Sequence, residues 1–153
     1  MSPMAEPLAD EPVELPQHAS ERVFAGRVWD IRRDTFELGG RHIVREYVDH
    51  PGAVAVLALD DDDQVFLIRQ YRHPVRTRDW EIPAGLLDVP REDPLVAAQR
   101  ELAEEGDLEA SEWSVLVDFF TSPGGSDGCT ADLFAIPCME GGASALIPEI
   151  EGL

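Results

Sequence analysis

Short stretches of alternating apolar and polar residues dominate the chain from about residue 22. The runs RVWDIRRDTFEL (27–38) and RHIVREYVDH (41–50) flank Gly39 and Gly40, the pattern of two strands joined by a tight hairpin turn. A second pair, AVAVLALD (53–60) and QVFLIRQYR (64–72), flanks the aspartates Asp60 to Asp63. Four acids in a row can suggest calcium, but an EF-hand loop needs its glycine and terminal glutamate. Between two β-rich runs, the aspartates read as a solvated turn.

The period changes once. Asp93 fits a helix N-cap and Pro94 the first helical position, and LVAAQRELAEE runs on in good helix formers until Gly106. On the helical wheel Leu95, Ala98 and Leu102 form an apolar stripe, while Ala97, Glu101, Glu104 and Glu105 share another face. SVLVDFF (114–120) and TADLFAIPC (130–138) then read as strands. Strands, one capped helix and more strands make an α+β chain.

The 153 residues suffice for one ordinary domain. Residues 1–20, rich in proline and acid and without a base, are expected to be a disordered or loosely attached lead-in, and 21–153 a single domain. No apolar run is long enough to span a bilayer, and the N-terminus has no basic and apolar secretory pattern, so a cytoplasmic address is expected. Every one of the twelve basic residues is arginine, which leaves no amine for Schiff-base or Walker-type chemistry. A formal charge of −19 repels phosphate backbones and anionic lipid, so neither nucleic acid nor membrane is an expected partner. An anionic ligand would need a cation to mediate. Cys129 and Cys138 form no zinc or disulfide framework, and His18, His42, His50 and His73 have no ligand spacing and read as surface or turn residues.

The carboxylates of the helix carry the chemistry. Glu101, Glu104 and Glu105 stand at i, i+3 and i+4, where like charges cost roughly 0.2–0.5 kcal/mol per pair. They also crowd the C-terminal turns, where the helix dipole disfavours anions by about 0.3–1 kcal/mol each. Either this is a solvated face in a very acidic chain, or a hard divalent cation sits among the oxygens. Arg100, one turn before Glu104, can brace that carboxylate and leave Glu101 and Glu105 open.

The stretch GLLDVPREDPLVAAQRELAEEGDL, from Gly85, resembles the Nudix box. Glu92, seven residues, then Arg100, Glu101, Leu102, Glu104, Glu105 and Leu108 fall in register. Six residues separate Gly85 from Glu92, a spacing associated with the ADP-ribose pyrophosphatase branch. The closing glycine position holds Asp107; Gly106, one place earlier, is expected to supply the left-handed residue at the helix end, a conformation that Asp107 also tolerates better than most. Pro123, sixteen residues past Asp107, matches a downstream proline of ADP-sugar hydrolases.

The resemblance implies a Nudix fold, a mixed β-sheet sandwiched by helices, and a homodimer whose N-terminal strands cross to the partner. It implies hydrolysis of a nucleoside diphosphate sugar, ADP-ribose to AMP and ribose 5-phosphate, with Mg2+ or Mn2+. Glu101, Glu104, Glu105 and the Ala84 carbonyl would bind metal, and Glu104, Glu105 and Arg100 would serve catalysis. Arg72 would contact the diphosphate, Glu81 the adenine side, and Arg45 and Trp29 an adenine clamp across the dimer, with Pro123 also at the substrate. Arg72 also reads simply as an exposed strand arginine, and Trp29 as a core or interface aromatic. The likeness runs from about Arg22 to Asp127 and then stops, so an incomplete C-terminal part is expected. Glu140, Glu149 and Glu151 are available carboxylates there, without a recognisable loop. A non-catalytic nucleotide-binding or dimerisation module, and a Nudix diphosphatase for another nucleotide such as NADH, are the competing readings.

Overall fold

The fold is built on β4, Ala53–Leu59, whose alternation is complete: Val54, Val56 and Ala58 are fully buried and the residues between them are half-buried. A strand with one face shut off from water needs an apolar partner on that face. The helix α1, Pro94–Gly106, supplies it through Ala97, Ala98 and Leu102. Phe66, Leu87, Leu95, Leu108, Ala110 and Trp113 close the margins of this core. The computed structural model describes residues 9–60, 62, 64–110, 112–128 and 131–137. These residues fall in two compact units, Met1–Tyr47 and Val48–Leu153, where the sequence suggests one domain over 21–153.

The N-terminal unit carries a three-stranded sheet in the order β1-β2-β3, with β1 at Gln17–Phe24, β2 at Asp30–Leu38 and β3 at Arg41–Asp49. The turn between β2 and β3 is the predicted one. Gly39 and Gly40 have φ of 59° and 74°, the left-handed pair that a two-residue hairpin loop requires. Strand β1 begins at residue 17, so the last four residues of the expected lead-in belong to a strand of the sheet, with Gln17, Ala19 and Ser20 paired to β2; residues 9–16 carry no regular element. The ion pairs Arg22–Asp30 (2.9 Å) and Arg33–Glu46 (2.6 Å) lie on exposed surface, where solvent screening leaves such pairs little to contribute.

In the second unit the main sheet has the order β7-β4-β9-β8, with β7 at Ala84–Leu86, β8 at Ser114–Val117 and β9 at Ala131–Pro137. It is mixed: β9 runs parallel to β4, while β7 and β8 are antiparallel to their neighbours. The hairpin β5 (Ile68–Arg72) and β6 (Thr77–Glu81) forms a separate two-stranded sheet. At the Asp60 turn Oδ1 accepts from the amides of Asp62 (2.9 Å) and Gln64 (2.8 Å), side-chain capping typical of a turn. The sandwiching helices are seen in part, since α1 is the one α-helix among the described residues. Cys129, Cys138, Glu140, Glu149 and Glu151 lie outside those residues.

Helix α1 starts as the sequence predicts, with the Asp93 side chain accepting from the Leu95 amide at 2.9 Å and Pro94 in the first turn. Its end differs. Asp107, not Gly106, takes the left-handed conformation (φ 53°, ψ 37°) and donates its amide to Ala103. Gly106 remains helical, and a Cβ there would approach the Phe66 ring to 2.9 Å, which favours glycine at this position. The wheel also changes at Ala97, expected beside the glutamates and found fully buried in the core cluster, so the buried arc of the helix is wider than the predicted stripe.

Leu102 is fully buried at the centre of this contact. Leu102→Ala is expected to destabilise the fold by about 2–5 kcal/mol, measured by urea unfolding, while Val96→Ala, at a position 51% exposed, shifts it by less than about 0.5 kcal/mol.

Candidate active site

Burying Leu102 against β4 fixes the azimuth of α1, and with it the direction of Glu101 and Glu105 toward β7. There β7 presents bare backbone. A Cβ on Gly85 would collide with the Glu101 carboxyl group, so only glycine lets this side chain lie across the strand. One residue earlier, the Ala84 amide donates to Glu105 Oε2 at 3.0 Å. Two carboxylates one helical turn apart thus meet the same two-residue piece of strand.

Arg100 organises the other side. Its Nε and Nη2 donate to the two oxygens of Glu92 at 3.0 and 2.9 Å, a bidentate fork. Its Nη1 donates to Glu101 at 2.6 Å and reaches Glu104 only at 3.5 Å. The bracing of Glu104 expected from the i, i+4 spacing is therefore the weakest of these contacts, and the Glu104 side chain is 61% exposed against 13% for Glu101. Glu92, in the loop just before the helix, takes the fork with its side chain only 10% exposed. Its role as the arginine's main partner was legible only in the register that sets it eight residues before Arg100.

The electrostatics divide the acids. Burial pushes Glu101 above the usual glutamate range against the opposing pull of Arg100, and the charges of Glu104 and Glu92 add to the rise. Burial likewise raises Glu105, opposed by the Ala84 amide and reinforced by Glu101. Glu92 is held low by Arg100, and Glu81 by Arg72. Raised carboxylates bind protons more readily folded than unfolded. Glu101 and Glu105 therefore cost stability as pH rises from the ordinary value near 4.5 through their own. Glu92 and Glu81 contribute the opposite way, and their contribution is lost as pH falls through their lowered values.

Arg72 and Glu81 face each other across the β5-β6 hairpin, with Arg72 Nε and Nη2 donating to the Glu81 oxygens at 2.8 and 2.6 Å. Gln70 donates to the same carboxylate at 3.1 Å. The Arg72 charge also acts on Glu105, so this pair belongs to the electrostatic field of the glutamates. Pro123 lies exposed in a turn closed by the Gly125 and Ser126 amides on the Ser122 carbonyl, both at 3.0 Å. Arg45 and Trp29 belong to the N-terminal unit. There Arg45 is exposed and donates to the Val44 carbonyl at 2.8 Å, and Trp29 is 36% exposed.

The donor set of Glu101, Glu105 and the β7 backbone is all oxygen, with ionised forms disfavoured by burial and by each other. Such a set suits a hard divalent cation such as Mg2+ or Mn2+, which takes carboxylate and carbonyl ligands while keeping waters. Glu105→Gln removes a charge that burial disfavours yet leaves an amide oxygen for the Ala84 N–H. In metal-free buffer at pH 7 the variant is expected to melt roughly 1–3 °C above the parent and to lose any rise in Tm with added Mg2+; a lower Tm would contradict the sign of the Glu105 shift.

The ADP-ribose pyrophosphatase of Mycobacterium tuberculosis (strain ATCC 25618 / H37Rv) is 49% identical over 110 residues, 71% of this chain and 53% of that protein. The methanol dehydrogenase activator of Bacillus methanolicus is 44% identical over 109 residues, 71% of this chain and 58% of that protein. The chain thus spans about half the length of the curated relatives it matches. A crystal structure of an ADP compounds hydrolase superposes with a TM-score of 0.69 at 22% identity, covering 92% of this chain and 78% of that one, a likeness of fold. The NUDIX domain profile matches residues 49–147, which include β4, β7, the Glu92–Arg100 fork and both half-buried glutamates, and the chain accordingly belongs to the Nudix family.

Proposed function

We propose that this chain hydrolyses the diphosphate of ADP-ribose, or of a closely related ADP-sugar, to AMP and ribose 5-phosphate in the presence of Mg2+ or Mn2+. The observation that carries the reading is the convergence of Glu101 and Glu105 on Ala84 and Gly85. The name of the mycobacterial relative supports the substrate class. A diphosphate is doubly anionic in a chain of charge −19, so its approach requires positive charge at the site. When bound, a divalent cation neutralises phosphate oxygens and lowers the pKa of water.

In this reading Glu101 and Glu105 hold the cation together with the Ala84 carbonyl, and the exposed Glu104 joins from the solvent side. Arg100 keeps Glu101 ionised and oriented while it anchors Glu92. Arg72 turns from Glu81 toward the diphosphate. Glu81, released from that fork, accepts hydrogen bonds from the adenine. A neutral, buried arginine–glutamate pair would be hard to open, but the Arg72 side chain is 47% exposed, where exchanging one anionic partner for another costs little. Arg45, Trp29 and Pro123 complete the substrate contacts by resemblance. A homodimer is part of the reading, supported by the large apolar side chains that the N-terminal unit exposes, Phe24 at 60%, Val28 at 64% and Val44 at 49%. The cytoplasmic address rests on the sequence; no helix among the described residues is long and apolar enough to cross a membrane.

Purified protein incubated with ADP-ribose and Mg2+ is expected to release AMP, followed by chromatography, with NADH a poorer substrate by kcat/KM. Glu105→Gln should lower kcat by about two to three orders of magnitude. Tight ADP-ribose binding without turnover at any metal concentration would overturn the proposal.

A further inference from the structure

Two histidines that are 24 positions apart in the sequence meet on the N-terminal sheet. His18 on β1, Glu37 on β2 and His42 on β3 present their ligand atoms within 4.8 Å of one another. His18 Nε2 lies 3.9 Å from Glu37 Oε2, and the two imidazole rings stand 4.5 Å apart at a tilt of 44°. Both the His18 and Glu37 side chains are open to solvent, at 43% and 45% exposure.

Backbone features set each of the three. Gln17 pairs with Phe36 and Ala19 with Thr35, so His18 is the extra residue of a β-bulge. A bulge breaks the alternation of a strand and re-aims the side chain it carries. The Glu37 amide donates to the Pro16 carbonyl at 2.9 Å, which ties the start of β1 beside Glu37. On the other side β2 ends at Leu38, β3 begins at Arg41, and Gly39 and Gly40 form the loop. A two-residue hairpin loop of this kind sets Glu37 directly opposite His42, the cross-strand position where side chains approach most closely. The ionic partners on this sheet differ as well. Asp30, Glu21 and Glu46 each pair with an arginine, whereas Glu37 faces the imidazole of His18.

We propose that His18, Glu37 and His42 form a binding site for a divalent transition ion, with Zn2+ the best match, which clips the three N-terminal strands together. Two imidazoles and one carboxylate, with the remaining position left to water, are a sufficient ligand set for zinc. Bonds of about 2.0–2.2 Å bring the ligand atoms of a tetrahedral site to roughly 3.3 Å from one another. Reaching that value from separations of at most 4.8 Å asks for rotation of solvent-exposed side chains. Ligand chemistry sorts the ions: nitrogen-rich ligands select zinc over magnesium, while the all-oxygen set of Glu101 and Glu105 suits magnesium. The site is therefore independent of the proposed hydrolysis, and its test does not use activity.

The imidazole C–H signals of the full chain, recorded by NMR in excess Mg2+ and titrated with Zn2+, read the site directly. His18 and His42 are expected to shift together and to saturate at one equivalent, with His50 and His73 unchanged. His42→Ala should abolish the response of His18, and Glu37→Gln should weaken Zn2+ binding at least tenfold. Three results would each overturn the assignment: a response beginning at His50 or His73, His18 and His42 responding independently, or no response at a tenfold excess of Zn2+.

Discussion

Everything at the proposed site depends on the cost of keeping two carboxylates charged where water is partly excluded. Glu101 and Glu105 sit one helical turn apart, both raised by burial, at the C-terminal half of a helix whose last turn carries no base. Helix dipole, mutual repulsion and desolvation all act in the same direction. The fold nevertheless holds them there through contacts that serve no other evident end: a glycine that clears space for one carboxyl, a strand amide that receives the other, and an arginine clamped by a third glutamate. Local structure that works against itself in this way is what a cation site looks like before the cation is counted.

The contacts form a chain of dependence. Core packing of Val54, Val56 and Ala58 against Ala97, Ala98 and Leu102 sets how α1 lies on the sheet. The register of β4 with β7, Val54 opposite Gly85 and Ala55 opposite Ala84, then delivers the backbone that the glutamates meet. The Arg100 fork to Glu92 draws the connecting loop onto the same end of the helix. A shift at any of these levels moves the carboxylates, so the core and the site are one construction.

Much of this is legible in the sequence, because it is written in local rules. The Gly39–Gly40 hairpin, the Asp93–Pro94 helix start and the Asp60 turn each follow from conformational preferences of a few adjacent residues. The spacing from Glu92 to Leu108 similarly carries the site within one short segment. What was not legible depends on partners distant in the chain. Ala97 is buried within the core cluster, Phe66 packs close to Gly106, and the left-handed turn falls at Asp107. Arg100 takes Glu92, in the loop just before the helix, over Glu104. His18 and His42 have no motif spacing at all; a bulge and a hairpin bring them together.

The most direct measurement of the central claim is the paramagnetic broadening of backbone amide signals by trace Mn2+. The account predicts that Ala84, Gly85, Glu101 and Glu105 broaden first and together, and that Mg2+ in excess restores them. Broadening that begins instead at the Asp60 turn, or spreads evenly over the acidic surface, would contradict it.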